Sequence, residues 1–154
     1  NPVRLDELFL QTQAEILRLH PEYSIETFIN DNTSDEDQEL AIMGNENLLR
    51  LIFVNLVDNA CKFSEGKPVT VIFNYNPDQV HIRVSDKGIG ISADDLPHIF
   101  EQFYRAKNAQ TIKGHGIGLS LISKIVKLHN GHINITSDEG EGTNVDVWLP
   151  YQLT

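Results

Sequence analysis

Asn45–Ser64 reads NENLLRLIFVNLVDNACKFS. Leu48, Leu49, Leu51, Ile52, Phe53, Val54, Leu56, Val57 and Ala60 make it apolar on nearly every side. That spacing predicts a buried helix, capped by Asn45 and reaching about Phe63. Three polar residues interrupt it. Asn55, Asn59 and Lys62 stand at i, i+4 and i+7, one above another on a single stripe. A polar side chain buried without a partner costs about 1–3 kcal/mol, and an ammonium more. One Mg²⁺ carrying nucleotide phosphates would meet that need. Amide oxygens are hard ligands, the phosphates bring the charge, and Mg²⁺ keeps several waters. Lys62 would then meet a phosphate directly. By itself the helix is equally compatible with amides bonded to neighbouring backbone and Lys62 extended into solvent.

Around this helix the chain reads as one α/β unit. Leu5, Leu8, Phe9, Ile16 and Leu19 fit an amphipathic opening helix. YSIETFI (Tyr23 to Ile29) alternates as a strand and LAIM (Leu40 to Met43) is a second, short one, the two forming a strand pair. The acidic DNTSDEDQE between them is a solvated loop, with a functional acidic patch as the lesser alternative. PVTVIFNY and QVHIRVS form a hairpin turning at Asn76-Pro77-Asp78. Residues 86–115 have no dominant element, which is common in functional segments. A helix over about Ile117 to Leu128 stops at HNG, where Gly131 suits a left-handed C-terminal cap. HINITS and TNVDVWLP close the chain. The order implies helices on one side of a mixed, hairpin-rich sheet.

Three further segments carry chemistry. In SDKGIGIS, Asp86 ends a strand just before Gly88 and Gly90. A carboxylate in a dry pocket accepts a hydrogen bond from an exocyclic amine such as adenine's and repels guanine's carbonyl. The two glycines would leave room for a flat ring against backbone, with Ile91 packed on it. Taken alone, a tight Asp-Lys-Gly turn is the simpler account. GHGIGLSLISKIV places Gly114, Gly116 and Gly118 directly ahead of a helix. Helix N-termini offer free N–H groups and partial positive charge to an anion. The spacing is neither a Walker loop nor a good Rossmann fingerprint. In SADDLPHIFEQFYR, Ser92 and Asp95 fit a capping box, and Phe100, Phe103 and Tyr104 an apolar face suited to a lid. Arg105 and Lys113 are within reach of phosphates in such a lid, or else solvated.

Bulk properties narrow the function classes. The chain has 154 residues, 40% hydrophobic and 22% charged, which suits one domain with a real core. A net charge of -10 argues against general nucleic-acid or anionic-membrane binding, so any phosphate site is a local basic pocket. The single Cys61 excludes an internal disulfide, and no Cys/His cluster has zinc spacing. Neither a signal peptide nor a membrane-length apolar run is present. The start at Asn1-Pro2 suggests a piece of something longer.

In order, these segments resemble the ATP-binding catalytic (HATPase) domain of bacterial two-component sensor histidine kinases. That domain belongs to the wider GHKL superfamily shared with DNA gyrase, Hsp90 and MutL. NLVDNACKFS resembles the family's N box, DKGIGI the first glycine box, FEQFYR the F box and GHGIGLSL the second glycine box. HNGHINITSDEGEGTNVDVWLP resembles its closing strands. The resemblance spans nearly the whole chain. It implies the Bergerat fold, a two-layer α/β sandwich with a left-handed crossover, a mixed sheet on about three helices, and ATP between the layers. It assigns Mg²⁺ to Asn55 and Asn59, phosphate to Lys62, and adenine to Asp86, with Thr143 nearby. Gly114, Gly116, Gly118 and the Leu119 backbone would hold phosphates. Residues 91–113 would be the ATP lid and residues 1–20 a linker or first helix. Gln102 stands where many relatives have arginine, which moves a basic lid contact to Arg105. Lys113 and His115 replace small residues and have no assigned role.

The family's phosphoacceptor histidine lies in a separate dimerisation domain, in a box resembling HELRTPL. No such box occurs here; His20, His81, His98, His115, His129 and His132 have other contexts. The expectation is a domain that binds ATP, does not phosphorylate itself alone, and donates γ-phosphate to that histidine for relay to a response regulator receiver domain. Asn55 occupies the position of the glutamate base of gyrase-like relatives, so water lacks its activator and ATPase activity should be negligible. The fragment is expected to be a cytoplasmic monomer, and its parent a homodimer anchored in the inner or plasma membrane. An anti-sigma-type serine kinase uses the same sandwich and is one alternative. A degenerate scaffold that has lost nucleotide is the other, and intact Asn55, Asn59, Lys62 and Asp86 argue against it.

Overall fold

The structure, a computed structural model, describes residues 1–33, 40–101 and 118–151. In chain order the elements are β1 (Pro2–Val3), α1 (Leu5–Leu19), β2 (Ile25–Asp31), β3 (Ile42–Met43), α2 (Glu46–Phe63), β4 (Val69–Tyr75), β5 (Gln79–Asp86), α3 (Gly118–Leu128), β6 (His132–Asp138) and β7 (Gly142–Pro150). Five strands form one sheet in the order β2-β4-β5-β7-β6, with β2 parallel to β4 and the other pairs antiparallel. The three helices pack their apolar faces on this mixed sheet, giving the expected two-layer α/β sandwich.

Alternation along the strands builds the core. Val69, Val71, Phe73 and Tyr75 of β4 and Val80, Ile82 and Val84 of β5 all point inward and are buried. Phe9 of α1, Phe53 of α2 and Phe73 of β4 meet with ring centroids 5.3 to 5.9 Å apart, joining both layers. Register pairs Val80 with Leu149, Ile82 with Val147 and Val84 with Val145. The next inward pair is Asp86 with Thr143, so a carboxylate stands where the apolar row ends. On the opposite face Asp146 is only 2% exposed, because His81 Nε2 and Arg83 Nε each approach its Oδ1 at 2.7 Å.

Asn45 caps α2 as expected, its side chain accepting from Leu48 N–H at 3.1 Å. A long-range clamp joins it. Asn45 N–H donates to His129 Nε2 at 3.2 Å, and His129 Nδ1–H donates to Ile125 O at 2.9 Å. The end of α3 is thereby tied to the start of α2.

Three expectations need correction. The second and third strands are not a pair: β3 pairs with β1, whereas β2 lies parallel to β4 in the main sheet. Only Ile42 and Met43 of LAIM are extended, and seven residues of β2 match β4 in register, so the longer ladder wins. The left-handed residue after α3 is Asn130 (φ 61), not Gly131. Gly131 is needed for a different reason: a Cβ there would lie 2.2 Å from Trp148 O. Leu19, placed on the helix's apolar face, is 71% exposed at its end.

These two roles of glycine separate experimentally. Gly140 (φ +83) has open space around it, so Gly140→Ala should cost only backbone strain, about 1 kcal/mol. Gly131→Ala must move backbone and should cost more, about 3 kcal/mol or above. Urea unfolding of both variants checks the order; equal losses would contradict it.

Candidate functional site

The site begins with α2. Asn55 and Asn59 are half-buried and Lys62 is exposed, so the stripe lies along an accessible flank and is not sunk in the core. Asn55 Nδ2 donates to Leu51 O at 2.7 Å, which fixes the amide and leaves Oδ1 pointing elsewhere. It points at α3: a Cβ on Gly118 would stand 3.3 Å from Asn55 Oδ1 and 3.5 Å from Asn59 Nδ2. The first residue of α3 therefore lies against both amides, and a helix N-terminus meets two amide side chains. Leu119, next along, packs partly on the core. Lys62 Nζ is 2.8 Å from Asp58 Oδ2 on its own helix.

One turn beyond Asn59, α2 ends against the loop after β5. Ile89 N–H donates to Phe63 O at 3.1 Å. A Cβ on Gly88 would fall 1.6 Å from that oxygen, so no other residue fits there. Gly90 (φ +68) also lies too close to the β6–β7 turn for a side chain, with its Cβ position 2.1 Å from Asp138 O. Both glycines thus admit protein backbone; the space a side chain would take is filled without any ring. From the other side, Gly140 N–H donates to Ile89 O at 2.7 Å, and Ile91 N–H donates to Ser137 Oγ at 2.8 Å. The loop is held between α2 and the last hairpin.

Asp86 sits at this junction, 9% exposed. Its Oδ1 accepts from Gly88 N–H at 3.0 Å. Burial pushes its carboxyl above the ordinary range, partly offset by the backbone N–H groups of Gly88 and Thr143. Thr143 Oγ1 is 2.8 Å from Ser137 Oγ, so Asp86, Thr143 and Ser137 form one polar row across three strands. A cleft around the strand ends is bordered by this row and by outward-facing Ser85 and Asn144. A dry carboxylate and two hydroxyls on a rigid sheet end can read a polar ring edge.

Ser92 and Asp95 make the expected reciprocal contact. Asp95 N–H donates to Ser92 Oγ at 3.2 Å, and the hydroxyl donates to Asp95 Oδ2 at 3.0 Å. They initiate a short 3₁₀ turn, Leu96–His98. Phe100 is half-buried. Gln102, Phe103, Tyr104, Arg105, Lys113, Gly114, His115 and Gly116 lie outside the described residues. Ser137, Asp58 and Tyr23 were not singled out from sequence. Ser137 follows Ile133 and Ile135 on the inward face of β6, and a polar residue in that register was the available signal. Asp58 was detectable as the i,i+4 partner of Lys62.

Among the described residues no helix is long and apolar enough to cross a membrane. The family "Histidine kinase-, DNA gyrase B-, and HSP90-like ATPase" matches residues 44–153. Sensor protein kinase WalK of Staphylococcus aureus is 40% identical over 107 residues, 66% of this chain and 26% of that protein. The same-named protein of strain JH9 is equally similar, with 18% of its length covered. The chain thus spans about a quarter or less of these relatives. The mycobacterial sensor histidine kinase MprB shares the fold with a TM-score of 0.84 at 23% identity, each chain covered in full. The catalytic domain of histidine kinase ThkA does so at 0.77 and 22% identity, covering 97% of this chain and 96% of that one. The chain belongs to the histidine kinase-, DNA gyrase B- and HSP90-like ATPases, and carries the ATP-binding catalytic domain that sensor histidine kinases use.

Proposed function

We propose that this domain binds ATP with Mg²⁺ along α2 and presents the γ-phosphate to a histidine of a separate dimerisation domain, for relay to a response regulator receiver domain. The observation that carries the reading is the junction at Gly88. It joins a buried carboxylate at the sheet end to an amide pair facing the first residue of α3, all along one helix. Adenine would lie at Asp86, its amine donating to the carboxylate, with Thr143 beside it. The phosphates would lie toward Asn55, Asn59, Lys62 and Gly118, with the Leu119 backbone at the start of α3.

The donor set suits Mg²⁺. Asn55 spends its N–H on Leu51 O and keeps its oxygen for a ligand. Two neutral oxygens bind Mg²⁺ weakly alone, so the ion would arrive with the phosphates. When bound, it would neutralise charge on the transferring group. The chain's own part is positional: α2 sets the amides, Asp86 fixes the ring, and Lys62 offers charge. Asn55 cannot take a proton from water, which favours transfer to a protein acceptor over hydrolysis. Gly114, Gly116, Arg105 and a lid over residues 91–113 would complete the proposed cradle; the reading also places the domain in the cytoplasm, beneath a membrane-anchored, dimeric parent.

Thermal melting tests the reading. ADP with Mg²⁺ at about 100 times its dissociation constant should add roughly 2.7 kcal/mol of stability. GDP with Mg²⁺ should give little shift, and EDTA should reduce the shift with ADP. No shift with any nucleotide would leave only a scaffold role.

Asp86 should show a trade between stability and binding. Its raised carboxyl means the folded state holds the proton more tightly than the unfolded chain. Its stabilising contribution is therefore fully present below the ordinary aspartate range of the unfolded chain and is lost as pH rises through the higher folded value. Asp86→Asn should melt higher than the native protein at pH 7 without nucleotide, and the gap should close as pH falls toward 4. The same variant should bind ADP about ten-fold or more weakly, through loss of a charge-assisted hydrogen bond. A lower melting temperature at pH 7, or unchanged ADP affinity, would contradict the assignment.

A further inference from the structure

We propose that Asp58 is a latch on Lys62: anchored by the Tyr23 hydroxyl, it holds the ammonium on one flank of α2 until a polyphosphate draws it across. The inference rests on the nucleotide reading above and adds a control element to it.

Both Asp58 oxygens are engaged. Lys62 Nζ donates to Oδ2 at 2.8 Å, and the Tyr23 hydroxyl donates to Oδ1 at 3.0 Å. Tyr23 is itself fixed. Its ring stacks on His20 at 4.6 Å and 15°, and its N–H donates to His20 O at 3.1 Å. The following residue is tied to the sheet, where Ser24 O accepts from Val69 N–H at 2.8 Å. Burial and the adjacent Asp58 both push the Tyr23 hydroxyl well above its ordinary value, so it remains a donor. The carboxylate is thus held by a group outside α2, and the lysine is held by the carboxylate.

The direction of the pull follows from helix geometry. Residues three and four positions before Lys62 lie to either side of it on the helix surface. Asn59 is on one side and Asp58 on the other. The Asn59 side faces α3, since the Gly118 Cβ position lies by Asn55 and Asn59. The Asp58 side faces Tyr23. The ion pair therefore draws the ammonium away from the amide pair where phosphates are proposed to lie. Both side chains are about one-third exposed, 32% and 31%, so the pair is weak and easily broken. A nucleoside diphosphate carries more charge than one carboxylate and would win the ammonium. The latch keeps Lys62 partnered while the site is empty, and breaking it subtracts from nucleotide affinity.

Calorimetry with Mg²⁺ and ADP on four proteins tests this: native, Asp58→Asn, Lys62→Ala and the double variant. Asn at 58 still accepts from Tyr23, so the local structure is kept. Asp58→Asn should tighten ADP binding about two- to five-fold. In the Lys62→Ala background the same change should have no effect, because the latch acts only through the lysine. Weaker or unchanged binding by Asp58→Asn would overturn the latch. So would equal tightening in both backgrounds, which would mark a plain field effect. NMR of the Lys62 ammonium gives an independent reading. Without nucleotide its protons should exchange more slowly in the native protein than in Asp58→Asn, by about two- to five-fold; equal exchange in both would overturn the latch whatever the affinities. A native protein that binds no ADP would remove the nucleotide reading and the latch with it, whereas native binding with an indifferent Asp58→Asn removes the latch alone.

Discussion

The backbone at residue 88 runs so close to the end of α2 that one added methyl group would stand 1.6 Å from Phe63 O. Everything in the proposed site depends on that approach. It brings the end of β5, and with it Asp86, against the helix that carries Asn55 and Asn59. The contact is closed by Ile89 N–H on Phe63 O and braced from behind by the β6–β7 turn at Gly140. A larger residue at 88 would have to displace helix or strand. Because both are buried in a common core, neither yields cheaply.

The sheet explains why a carboxylate sits there at all. The inward row of β5 runs Val80, Ile82, Val84 and then Asp86. The strand keeps its period for one residue longer than the apolar layer lasts. A charged group therefore stands at the lip of the core, desolvated and rigidly held, with its pKa raised in consequence. This is a cost to folding that only a ligand makes useful. Asn at that position would keep an acceptor for the Gly88 N–H without burying a charge.

Much of this was legible in the sequence, because the decisive signals are local. The apolar run of α2 with its Asn55, Asn59, Lys62 stripe, and the two antiparallel hairpins, are short-range patterns. Asp86 was found because a strand visibly ends there, just before two glycines. Apart from the i,i+4 pairing of Asp58 with Lys62, the misses are non-local. Nothing near Ile25–Asp31 says that its partner is Val69–Tyr75 rather than the nearer LAIM. HNG offers two residues that tolerate a positive φ; Asn130 takes it, while Gly131 lies against Trp148 O, a contact far away in sequence. The glycines of DKGIGI suggested room for a ring, whereas Gly88 and Gly90 make room for Phe63 O and Asp138 O. The Tyr23–Asp58 hydrogen bond spans 35 residues and left no trace in spacing.

The central claim is that one nucleotide lies along α2 with its base at Asp86 and its phosphates at the amide pair. Backbone amide NMR of the native chain, titrated with ADP and Mg²⁺, tests that most directly. The account predicts the largest shifts at Gly88, Thr143, Asn55, Asn59 and Gly118, with AMP retaining the shifts at Gly88 and Thr143 and largely losing those at Asn59 and Gly118. Shifts confined to another face of the sandwich, or AMP moving the phosphate end as strongly as the base end, would contradict it.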